Sequence, residues 1–209
     1  MCRLILILFI MSCCLSLKAQ EYTPVSDVTR FKDQFAVTAK KIETIKSDFT
    51  QEKNLSMLSE KIVSKGKFWF KKDNLLRMEY TKPFDYLMIL NKDNIYVKDG
   101  KNETKVSTRS NKIFQQINKI TVDCVQGTVL SNPDFKTRIL ENKNNYLVEL
   151  SPVSKGLKEF FKTIKVYIDR KDYAVNTIEM DENSGDDTTL HFTNRELNTT
   201  IPDALFTIK

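Results

Sequence analysis

The chain has 209 residues, and its 33 basic and 27 acidic residues give a formal net charge of +6. The basic residues are spread along the chain among acidic ones, whereas a nucleic-acid-binding protein gathers them in a patch, so nucleic acid is excluded as a partner. With only five glycines and five prolines, the composition also excludes a flexible, linker-rich chain.

The N-terminus has the outline of a signal peptide. Arg3 precedes an apolar run, Leu4–Leu17, which is too short to cross the roughly 30 Å hydrocarbon core of a membrane as a helix. Ala19 supplies the small residue of a cleavage site, so we expect residues 1–19 to be removed and the protein to be periplasmic. A rival cleavage site lies at Cys13, which would then carry a lipid.

Removal of residues 1–19 takes away Arg3 and Lys18, which lowers the net charge from +6 to +4. One cysteine is left, Cys124, and its apolar neighbours favour a buried side chain over a reactive thiol. The length suits one large core, so we expect residues 20–209 to form a single domain, as a monomer.

The first predicted element is an amphipathic helix between Ser26 and Lys46. Apolar residues recur there at helical spacing, with charged residues between them. The apolar residues are Val28, Phe31, Phe35, Ile42 and Ile45. Ser26 or Asp27 is the expected N-cap. Because the helix has one apolar stripe, we expect it to pack onto a surface.

After this helix the apolar period changes to two, which is typical of strands, and turn residues separate the segments. Strands are predicted at 45–51, 62–70, Leu75–Tyr80, Tyr86–Asn91, Ile95–Lys98, Lys105–Thr108, Phe135–Leu140, Tyr146–Ser151, Phe160–Asp169, Ala174–Met180, Thr188–Thr193 and Leu205–Ile208. This spacing indicates a mainly β fold of about 10 to 11 antiparallel strands, in a sheet or barrel.

A helical pattern interrupts the strands from Asn111 to Val129. A fully closed barrel would need no helix in its centre, whereas an incomplete barrel leaves an apolar mouth that an amphipathic helix can cover. We therefore expect an incomplete antiparallel barrel, with this central helical segment as a lid.

The residues that catalysis or metal binding would need are scarce. After signal-peptide removal the chain keeps one histidine, His191, which strand alternation places opposite Leu190 and Phe192 and therefore towards solvent. The acidic segment Asp181–Asp187 does not match a calcium loop and is predicted to be a hairpin turn. We expect no metal, no cofactor and no enzymatic activity, with a hydrolase that uses His191 as the remaining enzyme alternative.

Large apolar side chains share one face of the predicted strands. Phe68 and Phe70 alternate with lysines and a tryptophan, and Leu76, Met78 and Tyr80 follow the same pattern on the next strand. An ordinary dry core and a cavity for acyl chains use the same residue types, so the pattern leaves both interpretations open.

A series of short segments carries a family resemblance, namely Phe49–Gln51, Gly66–Lys72, Asn74–Tyr80, Pro83, Leu150–Pro152, Ile164–Asp169 and Ile201–Phe206. In this order and spacing they resemble the LolA family of periplasmic lipoprotein carriers, over nearly the whole mature chain. The resemblance implies an incomplete barrel around a hydrophobic cavity, with helices as its lid.

The resemblance also implies a function. The protein would take acylated lipoproteins from an inner-membrane lipoprotein-releasing transporter, hold their acyl chains and deliver them to an outer-membrane acceptor. The residues that would line the acyl cavity are Phe49, Phe68, Phe70, Leu76, Met78, Tyr80, Leu87, Ile89, Ile113, Phe114 and Ile117, of which the last three would fill it when it is empty. The alternative is a LolA-like protein for other lipids, or an envelope-stress lipid sensor.

One position departs from the family pattern. Lys72 stands where the family often has an arginine that holds the lid closed, and Asp73 follows where proline is usual. Lysine lacks the planar, five-donor group of arginine. The resemblance therefore supports a lid-holding role for Lys72 only in part.

Overall fold

The structure is a computed structural model that describes residues 22–92, 94–107, 120–124 and 126–208. The expected signal peptide lies outside the described residues, and so do the proposed lid residues Ile113, Phe114 and Ile117. In the described part of the chain twelve strands form the sheet: β1 Thr23–Pro24, β2 Thr44–Leu55, β3 Glu60–Lys71, β4 Leu75–Lys82, β5 Tyr86–Asn91, β6 Asn94–Asp99, β7 Asn102–Ser107, β8 Phe135–Glu141, β9 Asn145–Pro152, β10 Phe161–Asp169, β11 Val175–Glu182 and β12 Asp187–Leu197.

These strands form one antiparallel sheet in the order β1-β8-β9-β10-β11-β12-β2-β3-β4-β5-β6-β7. Strands that follow one another in the chain are neighbours within each half, and the pairing of β12 with β2 joins the halves. β1 and β7 lie at the two ends of this order, so the sheet is open. The prediction of a mainly β, unclosed antiparallel fold is confirmed, with twelve strands instead of about 10 to 11.

The N-terminal helix, α1, spans Val28–Lys40. The Asp27 carboxylate caps it by accepting a hydrogen bond from the Arg30 backbone N–H at 2.9 Å. Of the two predicted N-cap residues, Ser26 and Asp27, the structure therefore has Asp27. The predicted end at Lys46 is wrong, because Ile45 already belongs to β2, where it pairs with Phe70 of β3. Ile42 and Ile45 are spaced in a way that suits a buried helix as well as the start of a buried strand. The pairing of β2 with β3 decides in favour of the strand for Ile45.

Shorter helices follow in the connections. The second helix, α2, is helical at residues 120–124 and 126, which confirms that part of the predicted helical insertion, and α3 spans Lys155–Lys158. The predicted last strand is wrong: Asp203–Phe206 forms a turn of 3-10 helix on the outer face of the sheet. Across the described ranges, no helix has the length and apolar character to cross a membrane.

The main core lies on the inner face of the sheet. Phe68 and Phe70 of β3, Val148 of β9 and Ile164 of β10 belong to one buried cluster, into which α1 inserts Phe35. A second, smaller cluster lies on the outer face, where the C-terminal residues Ile201 and Phe206 cover Ile89 and Tyr96. Side chains on successive strand residues point to opposite faces, which is why two separate apolar clusters form.

Candidate ligand site

An apolar pocket lies on the inner face of the sheet, beneath α1 and α2. Its walls come from both helices, from β2 and β3, and from the β11–β12 side of the sheet: Phe35, Ala39, Ile42, Ile45, Ser47, Phe68, Thr121, Cys124, Tyr173, Ala174, Val175, Ile178, Phe192 and Arg195. The cavity volume is about 30 Å³, which is room for about two water molecules. An acyl chain is much larger, so this pocket has to widen before it can hold one.

Two irregular strand pairings shape one side of the pocket. In β12 the register shifts between Thr193 and Glu196, which reverses the side-chain alternation and brings Arg195 onto the inner, apolar face. In β11 the register shifts between Thr177 and Val175, and Val175 also lines the pocket. Such bulges re-aim side chains, and here they place an arginine beside apolar walls.

Arg195 is held in place by two hydrogen bonds. Its guanidinium donates to the Val175 carbonyl oxygen at 3.2 Å and to Asp172 Oδ2 at 2.6 Å. A guanidinium carries five N–H donors, so these two bonds leave donors for another partner. The pairing with Asp172 also balances the positive charge of Arg195 at the pocket wall.

Ser47 is another polar residue of the pocket wall. Its side chain is 3% exposed, and its hydroxyl has no hydrogen-bond partner among the described residues. Burying a hydroxyl without a partner costs about 1 to 3 kcal/mol, so an unpaired serine in an apolar wall is unusual.

The two helices meet closely above the pocket. Gly127, just after α2, has a φ of +71°, and a Cβ atom there would lie 2.6 Å from the Ala39 Cβ of α1. Glycine is therefore required at this position for both its conformation and its lack of a side chain. The contact joins α1 and α2 into one covering layer.

The β3–β4 turn contacts both helices. Lys72 Nζ donates to the Lys40 carbonyl oxygen, at the C-terminal end of α1, at 3.2 Å, and also pairs with Glu43. Gln126 at the end of α2 donates to Asn74 Oδ1 at 3.2 Å. The turn thus links the sheet to each helix through a few exposed polar bonds.

The structure places the predicted cavity residues in three regions. Phe68 lines the pocket, and the inner-face core around it contains four more of them, all buried: Phe49, Phe70, Leu76 and Met78. Tyr80 is partly buried against the same core, and its hydroxyl donates to Gln51 Oε1 at 2.9 Å. Three others, Ile113, Phe114 and Ile117, lie outside the described residues.

The assignment of Leu87 and Ile89 to the inner face is wrong. Both belong to the outer cluster, beneath the C-terminal segment, while Met88 and Leu90 between and after them face the inner core. The segment 86–91 is apolar at nearly every position because β5 is covered on both faces. Alternation therefore gave no signal for which residues point inward.

Several pocket residues were missed by the sequence analysis. Ile178 and Val175 were assigned to a strand without a role, and Arg195 lay beyond the predicted end of its strand at Thr193. The bulges that turn Val175 and Arg195 inward break the period of two, so a search for regular alternation overlooks them. Adjacent Asn194, with a φ of +50°, was the available signal, because asparagine tolerates this conformation.

Cys124 lies within the pocket wall and is buried, at 1% exposure. Burial away from water disfavours the thiolate and raises the pKa of the Cys124 thiol far above its ordinary value. The prediction that the Cys124 side chain is buried is confirmed.

The histidine lies apart from this pocket. His191 Nδ1 is 3.1 Å from Thr177 Oγ1 of the neighbouring strand, and the adjacent Leu190 points into the core. Among the described residues no group of histidine, cysteine and carboxylate side chains is arranged to hold a metal ion. The acidic segment Asp181–Asp187 contains the turn between β11 and β12, at residues 183–186, as predicted.

A polar recess of about 240 Å³ adjoins the start of α1 and shares Tyr173 with the apolar pocket. Two of its charged groups already pair with each other, since Arg170 binds Glu141 at 2.9 Å, and Arg170 also lies 4.9 Å above the Tyr146 ring. These pairings leave the apolar pocket as the better candidate for a ligand.

Comparisons with known proteins agree with this fold. The family model described as outer membrane lipoprotein carrier protein LolA matches residues 40–209. A search of curated protein sequences found no match.

Solved structures show a similar fold at low sequence identity. The Pseudomonas aeruginosa MucA/MucB complex matches with a TM-score of 0.50 and 9% identity, over 86% of this chain and 60% of that one. An uncharacterized conserved protein from Thermus thermophilus matches with a TM-score of 0.50 and 10% identity, over 85% and 90%. A LolA superfamily protein from Nitrosomonas europaea matches with a TM-score of 0.46 and 10% identity, over 88% and 99%.

Proposed function

The chain belongs to the LolA family of outer membrane lipoprotein carrier proteins, and we propose that it carries the acyl chains of lipoproteins across the periplasm. It would receive them from an inner-membrane transporter and release them to an outer-membrane acceptor. The single observation that carries the proposal is the apolar pocket beneath α1 and α2, because these two helices cover the apolar face of an open sheet.

The energetics favour a pocket that is closed when empty. Burying a chain of about fifteen methylenes releases roughly 12 kcal/mol, at about 0.8 kcal/mol each, and a preformed cavity would hold such a chain too tightly for delivery. Separating the helices from the sheet consumes part of that free energy and lowers the net affinity. The narrow pocket is therefore compatible with a carrier that must also release its cargo.

The contacts around α1 and α2 support this opening. The polar bonds from the β3–β4 turn to the two helices are exposed, and each contributes little to stability because water competes for the same groups. The Gly127–Ala39 contact keeps the helices close to each other. We expect α1 and α2 to move away from the sheet together when an acyl chain enters.

A variant that fills the pocket tests the proposal. Val175→Trp would put an indole into the pocket, and we expect affinity for a fluorescent fatty acid to fall at least tenfold. Glu179→Trp is the matched control, since it adds the same bulk to the outer face of the same strand, where Glu179 pairs with Lys165 at 3.3 Å. Equal affinities of the two variants would exclude this pocket as the acyl site.

The cargo is tested separately, by mass spectrometry of material bound to the protein purified from its native periplasm. Triacylated polypeptide would support lipoprotein transport. Free lipid alone would contradict lipoprotein transport and favour the alternative, a LolA-like protein that carries or senses other lipids.

A further inference from the structure

Two of the polar residues that line the pocket, Ser47 and Arg195, carry hydrogen-bonding groups that a hydrocarbon chain alone would not use. Ser47 of β2 lies between Lys46 and Asp48, whose partners on β12 are Glu196 and Thr193, so it faces the bulge that contains Arg195. Both side chains line the same pocket. The unpaired Ser47 hydroxyl and the remaining Arg195 donors thus come from adjacent strands.

The bulge in β12 is what makes this pairing possible. If β12 continued in regular alternation from Phe192, then Asn194 and Glu196 would face inward, and Arg195 would face outward. The extra residue instead directs Arg195 into an apolar wall. Asp172 and the Val175 carbonyl oxygen use two of its five donors there, so Arg195 lines the pocket with donors to spare.

The charges decide the kind of partner. Asp172 Oδ2 already neutralises Arg195 at 2.6 Å, and Ser47 adds a hydroxyl that carries no charge. A carboxylate or phosphate at this site would be repelled by the Asp172 carboxylate. The positive charge of Arg195 would not offset this repulsion, because Asp172 already neutralises it. A neutral acceptor, such as the carbonyl oxygen of an ester or amide, is satisfied by the donors that are left.

We infer that the pocket binds the carbonyl oxygen at the head of an acyl chain, through Ser47 Oγ and the Arg195 guanidinium. This assignment rests on the proposed acyl-binding function and adds its chemical selectivity: acyl esters and amides over alkyl ethers and free fatty acids. The carbonyl would sit against β2 and β12 while the hydrocarbon chain extends between the sheet and the two helices.

The test compares three amphiphiles of equal chain length by displacement of N-phenylnaphthylamine from the full-length mature protein: a monoacylglycerol, its alkyl glyceryl ether and the free fatty acid. We expect the ester to bind about five- to tenfold more tightly than the ether, as for one neutral hydrogen bond gained in a buried site. The fatty acid should bind more weakly than the ester at a pH where its carboxylate is ionised.

Ser47→Ala should reduce the preference for ester over ether to less than twofold. Ser64→Ala is the control, because Ser64 is buried on the same face of neighbouring β3 but does not line the pocket. Arg195→Lys keeps a charge for Asp172 but lowers the number of donors from five to three and removes the planar fork, so it should also reduce the preference.

The outcomes separate the two proposals. Equal affinity of the unaltered protein for ester and ether, or preference for the fatty acid, would overturn the carbonyl assignment and leave acyl binding intact. Failure of all three amphiphiles to displace the probe would overturn acyl binding itself. A full ester preference in Ser47→Ala or Arg195→Lys would remove that residue from the site.

Discussion

At the scale of single residues, Gly66 shows how closely the inner face is packed. A Cβ atom at this position would lie 2.2 Å from the Glu79 carbonyl oxygen and 2.8 Å from the Phe49 ring. Phe49 therefore covers the backbone of β3, and its ring also packs edge-on against Tyr80, with centroids 4.9 Å apart. The glycine lets an aromatic residue lie directly on the neighbouring strand.

Gly66→Ala should lower the free energy of unfolding by about 2 to 3 kcal/mol, because the added methyl group overpacks a site bounded by backbone. Gly156→Ala in α3 is the control, since a Cβ atom there meets nothing within 4 Å. Chemical denaturation of both variants gives the comparison. Equal stabilities would show that Phe49 and the β4 backbone both shift at little cost.

At the scale of elements, the β3–β4 turn connects the sheet to both helices. Asp73 and Asn74 have φ values of +71° and +61°, which produce a tight turn. That geometry presents Asn74 Oδ1 to Gln126 of α2, while Lys72 reaches the end of α1. The structure thus gives Lys72 contacts with the helix cover, and its role in lid control stays a prediction.

Asn74→Gly should raise the affinity for a fluorescent fatty acid about two- to fivefold. Glycine keeps the left-handed backbone but removes the bond to Gln126, so less work is needed to open the cover. Asp73→Gly makes the same change at the neighbouring left-handed position and should leave affinity unchanged. A lower affinity in Asn74→Gly would contradict the idea that this contact opposes ligand binding.

At the scale of the whole molecule, one sheet separates two apolar clusters with different roles. The inner cluster contains the pocket, and the outer cluster is covered by the C-terminal segment. Arg77 donates to the Leu205 carbonyl oxygen at 3.1 Å and Asn91 donates to that of Phe206 at 3.0 Å, which fixes this segment across β4 and β5. We expect the outer cluster to stabilise the sheet without contacting ligand.

A matched pair of substitutions tests this division. Phe206→Leu and Phe68→Leu each reduce a buried aromatic side chain, of 1% and 2% exposure, and each should cost about 1 to 2 kcal/mol of stability. Only Phe68→Leu should change affinity for a fluorescent fatty acid, because only Phe68 lines the pocket. An equal change in Phe206→Leu would mean that the two faces are coupled.

The sequence alone determined the class of the fold and the faces of its regular strands. Alternation of large apolar residues in β3 and β4 placed Phe68, Phe70, Leu76 and Met78 on one face, because a strand with one polar side shows its orientation directly. The same reasoning failed in β5, where both faces are covered and Leu87 and Ile89 were assigned to the wrong one.

Only the tertiary structure decided where the pocket lies. The end of α1 depended on pairing between β2 and β3, and the inward position of Arg195 depended on a bulge opposite Ser47. Local sequence cannot specify either, because each results from contacts between residues that are distant in the chain. The C-terminal segment became a 3-10 turn for the same reason, since its apolar residues pack onto a sheet face that exists only once the strands have paired.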